Sequence, residues 1–547
     1  MNRFAALLDS LAYEPSRLGK LRLMTGYFRA VGDPDRGFAL AALTGTLSFR
    51  HAKPALVRTL IYERIDPVLF DLSYDFVGDL SETVALLWPG DHDKSGSHTP
   101  RLAEVIATLD AASKLELPGV LARLLDALDE TGRWALLKLI TGALRVGVSA
   151  RLAKQAVAEL GGYDANAIED LWHGLAPPYL DLFAWLEGRE PRPRPHDSAP
   201  FCPAMLAHAL TERELEDLAP ADFCAEWKWD GIRVQAAVGI GEGGKIIRLY
   251  SRTGEEISAA FPDLTEMLAR VPHARFSLDG ELLILRTGRV QSFGVLQQRL
   301  NRKQVTAALL ADFPAHIRAY DLLGLEGEDL RALPFAERRR KLEAFVAAAG
   351  VERLDLSPQV AFASWDFLAA ARRDPAAAGA GADAAAIEGV MLKRRDSIYV
   401  PGRPKGLWYK WKRDPFAVDA VLMYAQRGHG KRSSFYSDFT FGLWRAGNDG
   451  DELVPVGKAY FGFTDDELRL LDRYVRNHTT NRFGPVREVT HMPDEGLVLE
   501  IAFEGVNHSS RHKSGVAMRF PRISRIRWDK PAREADRLET LERLIAD

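Results

Sequence analysis

A proline-rich segment at residues 187–200 places the strongest constraint on how this chain can fold. The segment, EGREPRPRPHDSAP, contains Pro191, Pro193, Pro195 and Pro200. Proline lacks a backbone N–H and cannot continue a helix, so the segment predicts a linker. Before it, apolar residues recur at spacings of three and four, as in LARLLDALDE and WALLKLITGALRVG, which indicates helices. Residues 1–200 therefore predict an all-α domain that ends in this linker.

The sequence after the linker changes in character twice. Between residues 201 and 412, alternating segments such as FCAEWKWDGIRVQAAV and FSLDGELLIL indicate strands, and PFAERRRKLEAFVAAAG indicates an amphipathic helix whose residues 338–341 form a solvent-exposed charged face. Between residues 413 and 547, short strand-like segments predict a small β-barrel, together with one helix that Thr464 and Glu467 cap. The expected fold class is multidomain: all-α, then α/β (α+β), then a β-barrel.

Composition narrows the classes of protein to which the chain can belong. With 547 residues, 47% of them hydrophobic, the chain is expected to form several globular units. Its two cysteines exclude a disulfide framework or a zinc cluster. The sequence has no apolar run near the roughly 18 residues of a transmembrane helix, and its N-terminus does not resemble a signal peptide. We therefore expect a cytoplasmic location and no membrane partner.

The net charge of −3 does not by itself indicate a nucleic-acid partner. Basic residues are nevertheless grouped, because residues 36–62 contain four Lys or Arg and no acid, and residues 133–154 contain five and no acid. Phosphate contact depends on local basic faces rather than on total charge. Both runs are therefore predicted to provide such faces.

The segment EWKWDGIRVQ, which contains Lys228, is the strongest chemical signal in the chain. Taken alone, it is also consistent with a strand that has an exposed lysine and an Asp-Gly turn. The residues that follow this segment along the chain favour a catalytic role. Together with the candidate nucleophile they supply two separated glutamates that could hold Mg²⁺, an aromatic ring for stacking and many cations. These parts suit a nucleotide polyphosphate. They are Arg252, Asp279, Gly280, Glu281, Tyr320, Glu388, Lys393, Lys410, Lys412, Arg519, Arg522, Arg525, Arg527, Asp529 and Lys530.

In this order and spacing, the motifs resemble those of ATP-dependent DNA ligases, which are covalent nucleotidyltransferases. The resemblance covers residues 201 to about 530, and LLKLITGALRVGVSARL is similar to the end of the helical DNA-binding domain of three-domain bacterial and archaeal ligases. It implies a DNA-binding domain at 1–200, an adenylation (nucleotidyltransferase) domain at 201–412 and an OB-fold at 413–547. It also implies a monomer that encircles or clamps nicked double-stranded DNA, associates with the nucleoid, and acts in DNA repair, replication or recombination.

The resemblance also implies a role for each motif residue. Lys228 would attack the α-phosphate of ATP to form a lysyl-AMP, the AMP would pass to the 5′-phosphate at a nick, and the 3′-hydroxyl would then displace it. Glu281 and Glu388 would bind ribose or Mg²⁺, with Mn²⁺ possible in its place. Adenine would be contacted by Glu226 and Tyr320, and ribose or phosphate by Arg233, Arg252 and Glu281. The α-phosphate region would be contacted by Lys393, Lys410 and Lys412, and pyrophosphate by Arg527 and Lys530. Arg403 would make a weaker contact with the nucleotide.

Two alternative functions remain open at this level. An mRNA-capping guanylyltransferase or an RNA ligase shares the lysine motif, although the RxDK sequence at 527–530 and the helical N-terminal region favour a DNA ligase. A non-catalytic nick-binding protein could keep the same fold.

Three other patterns carry less weight. GIGEGGK has P-loop spacing but lies between two strands, so it predicts a hairpin turn. The histidines His491, His508 and His512 lack the spacing of a metal site. RGHGKR, at 427–432, is equally consistent with a barrel turn and with a DNA-facing loop.

Overall fold

The computed structural model describes residues 1–89, 99–142, 144–193, 197–300, 305–428, 434–447, 450–509 and 512–545. Most of the loop at 427–432 lies outside these residues. None of the helices in the described ranges combines the length and the apolar character that a bilayer crossing needs. The chain forms a helical region, a mixed region that carries two sheets, and a C-terminal region rich in strands.

The described part of the first region contains helices and no strands, which confirms the prediction of a helical N-terminal region. One continuous apolar core holds it together, with Phe4, Phe28, Phe70 and Phe183 all buried. The last of its helices ends at Leu186, just before the proline-rich segment. The helices are α1 (Asn2–Tyr13), α2 (Arg17–Ala30), α3 (Asp35–Thr44), α4 (Pro54–Tyr62), α5 (Pro67–Val77), α6 (Leu80–Leu87), α7 (Leu102–Ala111), α8 (Leu117–Ala127), α9 (Glu130–Thr141), α10 (Ala150–Ala158), α11 (Ala165–Trp172) and α12 (Leu180–Leu186).

The two basic runs of this region are only partly available for phosphate. Arg36, Arg133, Lys138 and Lys154 are buried, so the prediction that both runs form basic faces is wrong for these four. Arg36, Lys138 and Lys154 form ion pairs inside the region, and the last two each lie 2.7 Å from a carboxylate oxygen. Arg133 donates to two backbone carbonyls. The exposed or half-exposed members are Arg50, Lys53, Arg58, Arg145 and Arg151.

The middle region contains two sheets. The chain passes from the first sheet to the second between the second and third strands of the region. The first has the order β1-β12-β11-β2-β10 and the second β4-β3-β5-β7-β8, with β6 beside β5 and β9 parallel to β7. The strands are β1 (His208–Ala209), β2 (Phe223–Trp229), β3 (Ile232–Gly241), β4 (Gly244–Ser251), β5 (Phe276–Arg286), β6 (Arg289–Val290), β7 (Ala315–Leu325), β8 (Glu328–Asp329), β9 (Leu354–Leu356), β10 (Gln359–Val360), β11 (Ile387–Arg394) and β12 (Trp408–Lys412). The helices are α13 (Glu212–Leu215), α14 (Pro262–Arg270), α15 (Phe293–Gln297), α16 (Ala307–Asp312), α17 (Phe335–Ala349) and α18 (Trp365–Arg373).

Two local predictions for this region have opposite outcomes. The GIGEGGK segment is the turn of the β3–β4 hairpin, with Gly241 opposite Gly244, as predicted. Arg340 is exposed and Lys341 is half-exposed, but the expectation that residues 338–341 form an exposed face is wrong for Arg338 and Arg339, which are buried on α17. Both guanidinium groups point into the protein, where carboxylates compensate their charges.

The C-terminal region is β-rich, in agreement with the predicted strand content. Its antiparallel sheet has the order β15-β14-β13-β17-β16, with β18 beside β13 and β21 beside β18, and β19 and β20 form a separate hairpin. Thr464 and Glu467 form the predicted capping box. The elements are β13 (Phe416–Arg427), β14 (Tyr436–Gly447), β15 (Gly450–Ala459), α19 (Asp465–His478), β16 (Thr479–Phe483), β17 (Val486–Val489), β18 (Val498–Phe503), β19 (Gly505–His508), β20 (Val516–Arg519), β21 (Arg522–Arg527) and α20 (Leu538–Glu542).

Candidate active site

A cavity of about 670 Å³ gathers side chains from both sheets of the middle region and from the end of the β19–β20 hairpin. The chain crosses between the sheets at Asp230 and Gly231, and a side chain at Gly231 would lie 2.6 Å from the Leu282 carbonyl, so this crossing requires glycine. The cavity is lined by ten of the thirteen predicted site residues: Glu226, Lys228, Arg233, Arg252, Glu281, Tyr320, Glu388, Lys393, Lys410 and Lys412.

Two β-bulges direct site side chains toward this cavity. On β11, Gly389 pairs with Lys228 and Ile387 pairs with Trp229, which leaves Glu388 as the extra residue between them. On β7, the register likewise shifts around Tyr320. A bulge changes the direction of the side chain that it carries, so both residues owe their placement to irregular pairing.

Lys228 lies close to carboxylates. Its Nζ is 2.8 Å from Glu388 Oε2. Burial alone favours the neutral amine, but the charges of Glu388 and Glu281 outweigh burial and raise the pKa of Lys228. In the arrangement formed by the protein alone, these carboxylates therefore favour the charged amine.

The carboxylates at the cavity differ in their protonation. Burial raises the pKa of Glu281 to about 7. Burial also acts to raise the pKa of Glu388, but the charge of Lys228 and a hydrogen bond with Asp230 lower it to about 2. Among the described residues, no three His, Cys, Asp or Glu side chains form a complete metal-binding group.

Cations are concentrated beside the nucleophile candidate. Burial and then the charges of Lys412, Lys228, Arg403 and Arg252 lower the pKa of Lys410. The repulsion between these cations would be relieved by a bound polyanion, and their N–H groups are suitable hydrogen-bond donors to phosphate oxygens.

Lys393 lies at the other end of the cavity. Its Nζ donates to Glu226 Oε2 at 2.8 Å and lies 4.3 Å from the centre of the Tyr320 ring. Arg339 Nη1 donates to the second oxygen of Glu226 at 3.1 Å. The structure thus places Lys393 beside the predicted adenine contacts, with its buried ammonium paired with Glu226, and its contact with the α-phosphate remains a prediction.

Arg233 is also engaged with protein groups. It donates to the Tyr399 hydroxyl at 2.9 Å, to Asp279 and to the Met205 carbonyl. It lines the cavity from β3, directly opposite Glu281 of β5. Its contact with ribose or phosphate remains a prediction.

The C-terminal region contributes residues to which the sequence assigned no particular role. Arg519, at the end of β20, forms a bidentate ion pair with Asp230, and its guanidinium lies 4.9 Å from the centre of the Phe293 ring. Lys412 Nζ lies 2.6 Å from Glu504 Oε2. Phe520 and Asn507 also line the cavity. The basic segment around Arg519 was visible in the sequence, but its partner is 289 residues away and no local pattern identifies it.

Three predicted contacts lie outside the cavity lining. Arg527 Nη1 and Lys530 Nζ lie 3.0 and 2.8 Å from Asp419 Oδ2, within the C-terminal region. Arg403 is exposed, although its charge acts on Lys410. For Arg527 and Lys530, pairing with Asp419 holds the side chains away from the nucleotide site in this arrangement.

Comparisons with known proteins agree with this chemistry. Residues 204–412 match the family described as ATP dependent DNA ligase domain, and residues 432–530 match ATP dependent DNA ligase C terminal region. A probable DNA ligase of Koribacter versatilis (strain Ellin345) is 30% identical over 100% of this chain and 96% of its own length. A probable DNA ligase of Opitutus terrae (strain DSM 11246 / JCM 15787 / PB90-1) is 31% identical over all of this chain, which spans only 62% of that relative.

A solved structure extends the comparison to the fold. That of Pmar-Lig_PreS3 has a TM-score of 0.62 at 15% identity and covers 96% of this chain and 99% of its own. The two sheets with a lysine, carboxylates and clustered cations between them define a nucleotidyltransferase. The chain belongs to the ATP-dependent DNA ligases.

Proposed function

We propose that Lys228 is the residue that carries AMP during the sealing of nicked DNA. The observation that carries this proposal is the position of its amine in a cavity where Lys410, Lys412 and Arg252 supply a concentrated positive charge. The neutral amine attacks the α-phosphorus of ATP, so an N–P bond forms, the bond to pyrophosphate breaks and the amine loses a proton.

Two transfers complete the reaction. An oxygen of the 5′-phosphate attacks the lysyl-AMP, so the N–P bond breaks, a 5′–5′ anhydride forms and Lys228 regains its proton. The 3′-hydroxyl then attacks the 5′-phosphorus, a phosphodiester forms and AMP leaves. Holding the two ends in line is chiefly an orientation effect.

Glu281 and Glu388 are the proposed holders of Mg²⁺, with Mn²⁺ as an alternative. The donor set fits this ion, because Mg²⁺ is commonly bound by one or two carboxylates together with substrate phosphates. When bound, the ion would neutralise charge on the phosphates. Glu388, whose pKa is lowered to about 2, supplies a permanently ionised oxygen.

The other predicted contacts extend along the nucleotide. Tyr320 stacks on adenine, Glu226 accepts from its amino group, and Arg233 and Arg252 bind ribose or phosphate. Arg527 and Lys530 matter more for the first step than for sealing, so we propose that the C-terminal region reorients to release them from Asp419 and bring them to pyrophosphate.

The DNA is proposed to lie against all three regions of a monomer that clamps it. The exposed basic residues Arg50, Lys53, Arg58, Arg145 and Arg151 support a helical DNA-binding region at 1–200, and the strand-rich region at 413–547 is proposed to be an OB-fold. Repair, replication or recombination of DNA is the proposed setting.

Incubation with α-labelled ATP, followed by a singly nicked duplex, tests the proposal. Lys228→Ala should neither acquire label nor seal the nick, yet it should retain sealing of a nick that already carries 5′-AMP. Lys341→Ala, on α17, is the control for loss of a lysine, because it lies outside the cavity lining. Sealing of ordinary nicks by Lys228→Ala with ATP would refute the proposal.

The same assay addresses the enzymatic alternative. Preferential labelling by GTP, or sealing of nicked RNA in preference to nicked DNA, would favour a capping enzyme or an RNA ligase. Nick binding without any covalent AMP would instead indicate a non-catalytic protein.

A further inference from the structure

Glu226 is a buried carboxylate held from two sides by cations that are distant in the sequence. Arg339 Nη1 donates to Oε1 at 3.1 Å, and Lys393 Nζ donates to Oε2 at 2.8 Å. The three residues are only 2%, 6% and 1% exposed, for Glu226, Arg339 and Lys393 in that order. Each oxygen of Glu226 therefore has its own cationic donor.

The two cations are themselves fixed in position. Arg339 also donates to the Ser357 carbonyl at 3.0 Å and to Glu343 at 2.8 Å. Lys393 lies between the rings of Tyr320, Phe335 and Trp408, at 4.3, 4.9 and 4.8 Å from their centres. A carboxylate held in this way keeps its orientation, because each of its oxygens is bonded to a cation that is itself fixed in position.

This arrangement has a consequence for the base that the cavity accepts. An ionised carboxylate only accepts hydrogen bonds, and Glu226 is one of the residues that line the cavity. Adenine presents an amino donor at position 6, whereas hypoxanthine and guanine present a carbonyl acceptor there. A fixed acceptor forms a hydrogen bond with the amino group of adenine and repels the carbonyl oxygen of the other two bases. The orientation of Glu226 therefore discriminates between adenine and these bases.

We propose that Arg339 and Lys393 are positioning residues that hold Glu226 as an acceptor and thereby set the preference for a 6-aminopurine nucleotide. The proposal rests on the proposed function, in which Glu226 faces the base. Arg339 acts from behind the cavity, since it is not among the described residues that line it.

Arg338 provides a matched comparison on the same helix. It is as deeply buried as Arg339, but it pairs with Asp321 at 2.8 and 2.9 Å and not with Glu226. A substitution there disturbs the same helix and the same kind of buried ion pair. It leaves the contacts of Glu226 in place.

The test compares ATP with inosine triphosphate, which differs from ATP at position 6 of the base. Lysyl-AMP or lysyl-IMP formation is measured with α-labelled nucleotides, as kcat and KM, for the full chain and for Arg339→Gln, Arg339→Lys, Lys393→Met and Arg338→Lys. We expect Arg339→Gln and Lys393→Met to lower the ATP-to-ITP ratio of kcat/KM by about tenfold or more, chiefly through KM for ATP. Arg339→Lys should restore part of the ratio, and Arg338→Lys should leave it unchanged.

The outcomes separate the two proposals. If the variants that fold lose labelling by both nucleotides equally, or if Arg338→Lys changes the ratio as much as Arg339→Gln, the positioning role is overturned while the role of Lys228 stands. If Arg339→Gln does not fold, the ratio for Arg339→Lys and Lys393→Met decides in the same way. Absence of label on the unsubstituted protein would instead overturn the function on which the inference rests.

Discussion

The ion pair between Asp230 and Arg519 connects the nucleotide-binding region to the C-terminal hairpin, so its removal tests whether this contact supports sealing. Arg519 Nη2 donates to Asp230 Oδ1 at 2.9 Å, and its second nitrogen, Nη1, binds Oδ2. The perturbation consists of Arg519→Ala, Asp230→Ala and the double variant.

The expected size of the effect follows from the exposure of the pair. The side chains of Arg519 and Asp230 are 19% and 16% exposed. Exposed pairs contribute about 0 to 1 kcal/mol, and loss of one partner of a fully buried pair costs about 3 to 5 kcal/mol. At this intermediate exposure we expect about 2 kcal/mol, which corresponds to roughly 30-fold in an equilibrium constant.

Single-turnover sealing by pre-adenylated enzyme is the appropriate assay, since it isolates the steps on DNA. Each single variant should seal about 30-fold more slowly, because the contact between the two regions is less populated. Arg543→Ala, an exposed arginine just after α20, is the control and should seal at the unsubstituted rate.

The double variant decides whether the two residues act as a pair. If they do, it should lose little more than either single variant, because the first substitution already removes the interaction. Losses that multiply to roughly 900-fold would show independent contributions and would refute the reasoning.

Three further predictions concern stability. Arg338→Met should lower the free energy of unfolding by about 3 to 5 kcal/mol in a urea titration, because it leaves Asp321 charged and buried; an unchanged midpoint would contradict this. Gly389 has φ +147°, and a side chain there would lie 2.3 Å from the Trp411 carbonyl. Gly389→Ala should therefore both destabilise the fold and impair lysyl-AMP formation. Normal labelling by a stably folded variant would contradict this. Burial lowers the pKa of His173 to about 4, so protons bind preferentially to the unfolded chain. The free energy of unfolding should therefore fall by roughly 2 kcal/mol as the pH drops from 6.5 to about 4. His173→Gln should reduce this dependence on pH, which is measured from the midpoints of urea titrations at several pH values.

The order of motifs along the chain was sufficient to predict the chemistry. Alternation along one strand places Glu226 and Lys228 on the same face of β2, and Arg233 follows after the turn that Gly231 permits. Capping by Thr464 and the β3–β4 turn were also predictable, because both depend on residues only a few positions apart.

The helical region shows where sequence patterns reach their limit. A run of basic residues without acids predicted a phosphate-binding face, yet Lys138 and Lys154 are buried against Asp79 and Glu169. Their partners lie outside the runs, so counting charges within a segment could not reveal the compensation.

The sequence by itself determined which functional groups the protein has and their order, since these depend on residue type and short spacing. Only the tertiary structure decided which groups meet: the bulges that direct Glu388 and Tyr320, the approach of Arg339 and Lys393 to Glu226, and the pairing of Arg519 with Asp230. The physical reason is that a buried charge must be paired, but it can be paired by any residue that the fold brings within about 3 Å, whatever its distance along the chain.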